Sequence, residues 1–416
     1  MFDNLLFQPV GIQLTEDIKK GILPKAMLFV GPSNSGKLTC ALELSRILSC
    51  TNIPKGEWTC TCSACLKHKA LVNTSLLVTG PKSCTLEIAS SAKTLLEAAS
   101  SNATYINAAR YLFIRSIRKL TLRFSPILWE GDDKVAKISP LLVGIEEYLE
   151  ELDPLRPLPE LDKLEKICSS VQPLCAKLEA DFMYDSIPVA QIRRISNWAH
   201  FKAESGKKVV VIENAQRMQD SVRNALLKIL EEPPEDVFFI LTARRKIGVM
   251  PTILSRVRTY NFVERTLPQQ SEIIKRVFHS DVQDNFNTSL DLYLQSFLPI
   301  KPAAVADSAE KFVRKIILGQ IPDLDEILKS CNGFEPRLLL NIFLNEINQL
   351  LFSVVTQRQD NNSTTKDVLI VCECNKCIQN CWTNITIYNQ SVVAALENLL
   401  GDLEFVFTKY GGISIL

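Results

Sequence analysis

The chain has 416 residues, 46% of them apolar and 22% charged, with a net charge of +1. That length predicts two to four domains with cores of their own, and the composition excludes a disordered or low-complexity chain. The near-zero charge excludes a global attraction to nucleic acid or to an anionic membrane, so a DNA contact would need a local basic patch.

The start, Met1-Phe2-Asp3-Asn4, has no basic stretch leading into an apolar one, and no apolar run reaches about 18 residues. The expectation is a cytoplasmic protein with no signal peptide and no membrane span. Thirteen cysteines in such a chain predict a reducing compartment and metal binding rather than a disulfide framework.

Residues 1–80 alternate strand and helix patterns, as in an α/β domain. Met27-Leu28-Phe29-Val30 reads as a buried strand, and Ala41-Leu42-Glu43-Leu44 continues as a helix. Residues 83–180 read as a helical insertion, with helical stretches at Asn107–Phe124 and Ser139–Leu152, prolines at 126, 154, 157 and 159, and no strand-like run. Alternation resumes at Ile187. Lys207–Ile212 is a buried strand of the parallel type, Val222–Glu231 an amphipathic helix stopped by Pro233-Pro234, and Val237–Leu241 the next strand. From about residue 264 the pattern is helical almost to the end, with a polar loop at Gln357–Thr365.

Three constellations carry chemistry. Gly31-Pro32-Ser33-Asn34-Ser35-Gly36-Lys37 has the spacing of a phosphate-binding loop between strand and helix. Gly31 and Gly36 let backbone N–H groups curl around phosphates, and Lys37 neutralises them. The hydroxyl that should follow the lysine is missing: that place is Leu38, and Thr39 comes one residue late, roughly 100° around the helix. Second, Cys50, Cys60, Cys62 and Cys65 supply four thiolates within a short loop, which suits one structural zinc ion, with His68 as a substitute ligand. Third, the strand Val209–Ile212 ends in Glu213-Asn214, where a P-loop ATPase carries two acids. Glu213 can sit near magnesium, but an amide has no useful basicity, so Asn214 cannot activate water.

Two further clusters have ordinary explanations. Cys374, Cys377 and Cys381, with Cys372, fall on a helical pattern in which the first three share a face, as buried packing residues or as metal ligands. Arg110, Arg115, Arg118, Lys119 and Arg123 alternate with Tyr111, Phe113 and Phe124. They read as a DNA-facing helix or, more plainly, as an amphipathic helix with a solvated basic face.

At this point the motifs resemble those of the clamp-loader subunits of bacterial DNA polymerase III, which are AAA+ proteins. The resemblance lies in Phe2–Gln8, Leu23–Phe29, the cysteine module directly after the phosphate-loop helix, Ile187–Arg193, Asn224–Pro234 and Thr252–Arg256. It is strong over residues 1–80 and 183–263, weak from 264 to 416 and absent across 83–180. It implies an AAA+ domain over 1–263, with the zinc module at about 50–65 and the helical insertion at about 83–180, a helical lid at 264–340 and a helical collar at 341–416. It also implies that Arg256 of Ser255-Arg256-Val257 is an arginine finger acting on ATP bound by a neighbouring subunit. Thr242 falls at the first sensor position and Arg337 at a lid-arginine position. Together with Leu38 and Asn214, the pattern resembles the delta-prime branch, a stator that keeps the finger and the zinc module while its own ATPase decays.

The implied partners are gamma/tau and delta subunits in a hetero-pentamer, the sliding clamp, and primed DNA through the assembly, with no membrane. Whether ATP with magnesium binds at Gly31, Gly36, Lys37, Thr39 and Glu213 is open at this stage. The rival readings are an active gamma/tau-type motor in which Thr39 supplies magnesium in a shifted register, a stand-alone P-loop enzyme such as a nucleotide kinase, and a zinc-dependent interaction module.

Overall fold

The computed structural model describes residues 1–81, 83–202, 206–280, 288–358, 365–386, 388 and 390–410. It divides into two compact units, Met1–Leu294 and Gln295–Leu416. Most of the polar loop expected at 357–365 lies outside the described residues.

The first unit is mixed α/β. Its sheet comprises β1 (Ala26–Val30), β2 (Leu76–Thr79), β3 (Lys208–Ile212), β4 (Val237–Ala243) and β5 (Arg258–Asn261), in the order β2-β3-β4-β1-β5. Every pairing is parallel. A parallel sheet is covered on both faces, which is why β1 to β4 read as unbroken apolar runs. The two-residue period sorts each strand between two cores. Ala26, Leu28, Val30, Val210, Ile212, Phe239 and Leu241 belong to one, and Met27, Phe29, Val209, Val211, Phe238 and Ile240 to the other.

The second of these cores holds α1 (Val10–Lys19) and α2 (Lys37–Ser49) against the sheet. Next along the chain comes α3 (Ser63–Lys69), in the cysteine module. The first core continues into α4 (Thr85–Ser100), α5 (Ile106–Thr121), α6 (Pro126–Trp129), α7 (Val135–Glu151), α8 (Leu161–Phe182), α9 (Val189–His200) and α10 (Asp220–Glu231). Among the described residues, the segment between β2 and α9 contains no strand. Its helices interlock through buried polar groups as well as apolar ones. The Glu179 carboxylate on α8 accepts the N–H groups of Cys84 (2.7 Å) and Thr85 (3.1 Å), filling orphan donors at the start of α4. Burial pushes that carboxyl upward against these hydrogen bonds.

The first unit ends with α11 (Pro251–Leu254), α12 (Leu267–Phe278) and the start of α13 (Leu290–Gln295). Thr266 and Gln269 form a capping box on α12, a signal legible in Thr266-Leu267-Pro268-Gln269. β5 was not anticipated from the sequence. It is a four-residue edge strand with one buried side chain, Tyr260, so it lacks the apolar run that marked its neighbours.

The second unit is helical: α14 (Pro302–Ile317), α15 (Leu324–Ser330), α16 (Leu338–Arg358), α17 (Thr365–Thr386) and α18 (Val392–Tyr410). Phe312, Phe334 and Phe343 form its aromatic centre, with ring centroids 5.5 and 5.1 Å apart for the pairs that Phe343 makes. The boundary between the units, Leu294/Gln295, falls inside the 264–340 stretch expected as a lid. Among the described residues no helix is long and apolar enough to cross a membrane.

One contact fixes where the phosphate loop begins. A Cβ added at Gly31 would lie 2.5 Å from the Phe262 carbonyl oxygen and 2.6 Å from the Phe262 Cβ. Gly31→Ala is expected to destabilise the protein by about 1–3 kcal/mol through this overlap, read as a lowered urea midpoint at unchanged slope.

Candidate functional site

β1 runs straight into the loop 31–36, and α2 begins at Lys37. Gly36 caps α2 with φ +91 and Asn34 sits at φ +54, the left-handed region that Gly and Asn tolerate best. The loop satisfies itself from within. Lys37 Nζ donates to the carbonyl of Gly31 (2.6 Å), to that of Pro32 and to Ser35 Oγ (3.2 Å). Ser35 Oγ donates to Pro32 O at 2.8 Å.

A residue the sequence reading missed closes over the loop. Arg265 is buried and donates from Nη1 to Asn34 O (2.6 Å) and from Nε and Nη2 to Leu6 O (3.1 and 2.9 Å). The Asn34 side-chain amide in turn donates to Asp291. Leu38, which follows the loop lysine, belongs to the same apolar cluster as Phe2, Leu5 and Val10. Thr39 is half-buried one residue further along α2.

At the same C-terminal edge of the sheet, Glu213 follows β3 and is buried. Its carboxylate accepts from the Arg123 guanidinium, and both side chains are less than a tenth exposed. Burial alone would weaken the charge on Arg123, but Cys84 and Glu213 beside it hold its pKa above the ordinary value. Gly80, with φ +113, lets β2 and β3 end in close contact, since a Cβ there would lie 2.4 Å from the Glu213 carbonyl oxygen. Asn214 sits at φ +56, donates its side-chain amide to Pro81 O (2.6 Å) and accepts from Gln216 Nε2 (3.2 Å). Its backbone N–H donates to Thr242 Oγ1 at 3.2 Å, and Thr242 is buried against it. One acid is therefore ion-paired, and the other is an amide tied to a turn.

Arg123 comes from the basic segment whose sequence reads as a DNA-facing or a solvated helix. The structure corrects both readings, because each of those cations has an internal partner. Arg110 donates to the carbonyls of Leu152 (2.7 Å), Asp153 and Arg156 (3.0 Å), closing the C-terminal end of α7. Arg115 donates to the carbonyls of Lys69 and His68, closing α3 in the cysteine module. Arg118 pairs with Glu146 and Lys119 with Glu87. A signal was present: Arg110, Phe113, Ile117, Leu120 and Arg123 follow three-and-four spacing, which places two of the arginines on the apolar face.

The four cysteines converge. The Sγ atoms of Cys50, Cys60, Cys62 and Cys65 all lie within 4.8 Å of one another, and those of Cys50 and Cys60 are 3.7 Å apart. Tetrahedral zinc–thiolate bonds of about 2.3 Å put sulfurs about 3.8 Å apart, so this donor set fits one such ion. Cys50 closes α2 and Cys62 starts α3, where its sulfur accepts from the Cys65 N–H. His68 is not one of the converging ligands. It is buried with neither ring nitrogen hydrogen-bonded, and burial, followed by Arg46 and Arg115, lowers its pKa to about 4, leaving it neutral near pH 7. The cysteines of α17 do not gather this way: Cys374 and Cys381 are buried, Cys377 is half-buried and Cys372 is exposed, as in ordinary helix packing.

Arg256 follows α11 with its side chain a quarter exposed. Nε donates to Glu231 Oε1 at 2.7 Å, Nη2 to the same oxygen, and Nη1 to Thr252 O at 2.6 Å. Arg337 lies in the second unit just before α16, where partial burial lowers its pKa.

With this geometry in view, the family profile described as "DNA polymerase III, delta subunit" matches residues 8–131 and 162–266, more than half of the chain. The chain belongs to this DNA polymerase III subunit family. The match runs through α4, α5 and α8, so the family resemblance is not absent across 83–180; within that stretch only residues 132–161 fall outside it. Among curated members, the delta-prime subunit of Haemophilus influenzae is 38% identical over 76 residues, 18% of this chain and 23% of that protein. The delta-prime subunit of Bacillus subtilis is 28% identical over 173 residues, 41% of this chain and 50% of that one. The chain thus spans half or less of the length of these two relatives. A solved gamma subunit-related protein of Thermotoga maritima shares 16% identity, with 57% of this chain and 90% of that one aligned at a TM-score of 0.27, too low to carry an argument.

Removing Arg123 strands the Glu213 carboxylate in the interior of this DNA polymerase III subunit. Arg123→Ala is expected to cost about 3–5 kcal/mol by chemical denaturation. The double change Arg123→Met with Glu213→Gln should recover most of that loss, because it leaves no unpaired charge.

Proposed function

We propose that this protein is a clamp-loader subunit of the delta-prime type: an AAA+ stator that lends an arginine to a neighbour's ATP while hydrolysing none itself. The observation that carries the reading is the Arg123–Glu213 pair. A carboxylate that must help hold magnesium is instead neutralised by a buried guanidinium. Two separate features agree with it. Leu38 turns the metal-facing position into hydrocarbon, and Asn214 has no basicity to activate water. Lys37 is engaged with the loop's own carbonyl groups.

On this reading Arg256 is the active group. Its planar, permanently charged guanidinium stabilises charge developing on a γ-phosphate, and it stands partly exposed on the surface rather than inside the core. Gly31, Gly36, Thr39 and Thr242 keep the shape of a nucleotide site without its chemistry. Residues 264–340 with Arg337 would act as the lid and 341–416 as the collar that joins gamma/tau and delta subunits in a hetero-pentamer. The assembly would load the sliding clamp on primed DNA in the cytoplasm. Cys50, Cys60, Cys62 and Cys65 would hold a structural zinc ion, closed to catalysis because all four positions are protein sulfurs.

The test is reconstitution of the loader with Arg256→Ala in this chain alone. Assembly should persist, and DNA-stimulated ATP turnover at the adjoining site should fall by about 10³-fold. Unchanged turnover would sink the stator reading, as would steady ATP hydrolysis by the purified chain on its own.

A further inference from the structure

Arg46 lies in the last turn of α2, the helix that starts at the phosphate loop, and is 1% exposed. A guanidinium has five N–H donors, and here all five are used. Nε donates to Glu43 Oε1 at 3.0 Å. Nη2 donates to the same oxygen and to Gly56 O at 2.9 Å. Nη1 donates to Glu57 O at 2.9 Å and to Cys65 Sγ at 3.3 Å. The guanidinium also lies 5.4 Å from the centroid of the Trp58 ring. The loop between Cys50 and Cys60 is therefore wrapped around this one side chain. Gly56, at φ +80, comes so near Ile47 that a Cβ would meet its Cγ2 at 2.9 Å.

We propose that Arg46 is the positioning residue of the four-cysteine metal centre, orienting the Cys65 thiolate and balancing the charge of a metal held by four sulfurs. The inference rests on the metal reading above. A divalent ion on four thiolates is doubly negative. Around the sulfurs stand Arg46, Lys69, whose Nζ is 2.8 Å from Cys60 O, and Arg115, which donates to the Lys69 carbonyl. Among the described residues, Glu43 is the one carboxylate in hydrogen-bond contact with Arg46. These three cations and the Glu43 carboxylate leave two positive charges, which offset the two negative charges of four thiolates on a divalent ion. With protonated, unmetallated thiols the neighbourhood holds an excess of positive charge, which is costly to bury. Outer partners of this kind fix ligand orientation, and losing one typically lowers metal affinity about 10–100-fold.

The test uses the full chain, loaded with zinc and separately with cobalt. Because Arg46→Met alone would strand Glu43, the main variant is Arg46→Met with Glu43→Gln, which removes both charges, and Arg46→Lys serves as the conservative comparison. The expected result is a native-like circular dichroism spectrum, zinc affinity about 10–100-fold weaker in competition with a chromogenic chelator, and a displaced sulfur-to-cobalt charge-transfer band, with Arg46→Lys intermediate. Zinc affinity and a cobalt band equal to those of the unmodified chain would overturn the role of Arg46 while leaving the metal centre in place. An unmodified chain that takes up neither zinc nor cobalt would overturn the metal centre itself, and this inference with it.

Discussion

The buried pair between Arg123 and Glu213 is the constraint on which the first unit turns. An isolated charge in the interior costs several kcal/mol, so neither group is tolerable without the other. Glu213 is fixed by β3, and its partner comes from the turn Leu122–Phe124 that follows α5. That requirement holds the helical segment over the strand ends. The surroundings support it: the Trp129 indole donates to the Arg123 carbonyl at 2.9 Å, and Trp129 stacks between Phe124 and Tyr184 at centroid distances of 5.4 and 5.3 Å. The same contact that anchors the helices neutralises the carboxylate at the end of β3.

The phosphate loop shows the complementary arrangement. Its cation, its hydroxyl and its exposed carbonyl are all engaged by groups from this chain, through Lys37, Ser35 and Arg265. The loop is stabilised by hydrogen bonds within itself. It keeps its glycines because close approach to Phe262 and a left-handed residue at the head of α2 still demand them.

Much of this was legible in the residues. The alternation of β1 to β4 with helices, the cysteine cluster and the missing hydroxyl at Leu38 each depend on local spacing, which sequence displays directly. β5 was hidden because an edge strand with a single buried side chain has no apolar run to announce it. The basic helix was misjudged for a different reason. A pattern of charges tells which residues share a face, but not whether carbonyl ends of other helices wait opposite that face. Arg110 and Arg115 find theirs at residues 152–156 and 68–69, contacts that only the assembled fold creates. Arg265 was silent for the same reason, since its partners are backbone oxygens that every sequence possesses.

The grip of Glu231 on Arg256 is of another kind. Nearly half of the Glu231 side chain is open to solvent, and an ion pair in that setting is worth only about 0.2–1 kcal/mol. Such a partner keeps a long side chain from wandering without owning it. Any stronger anion brought alongside would take the guanidinium over at negligible expense, and on departure would hand it back to the same cradle, so the surface around α11 resets itself with no refolding.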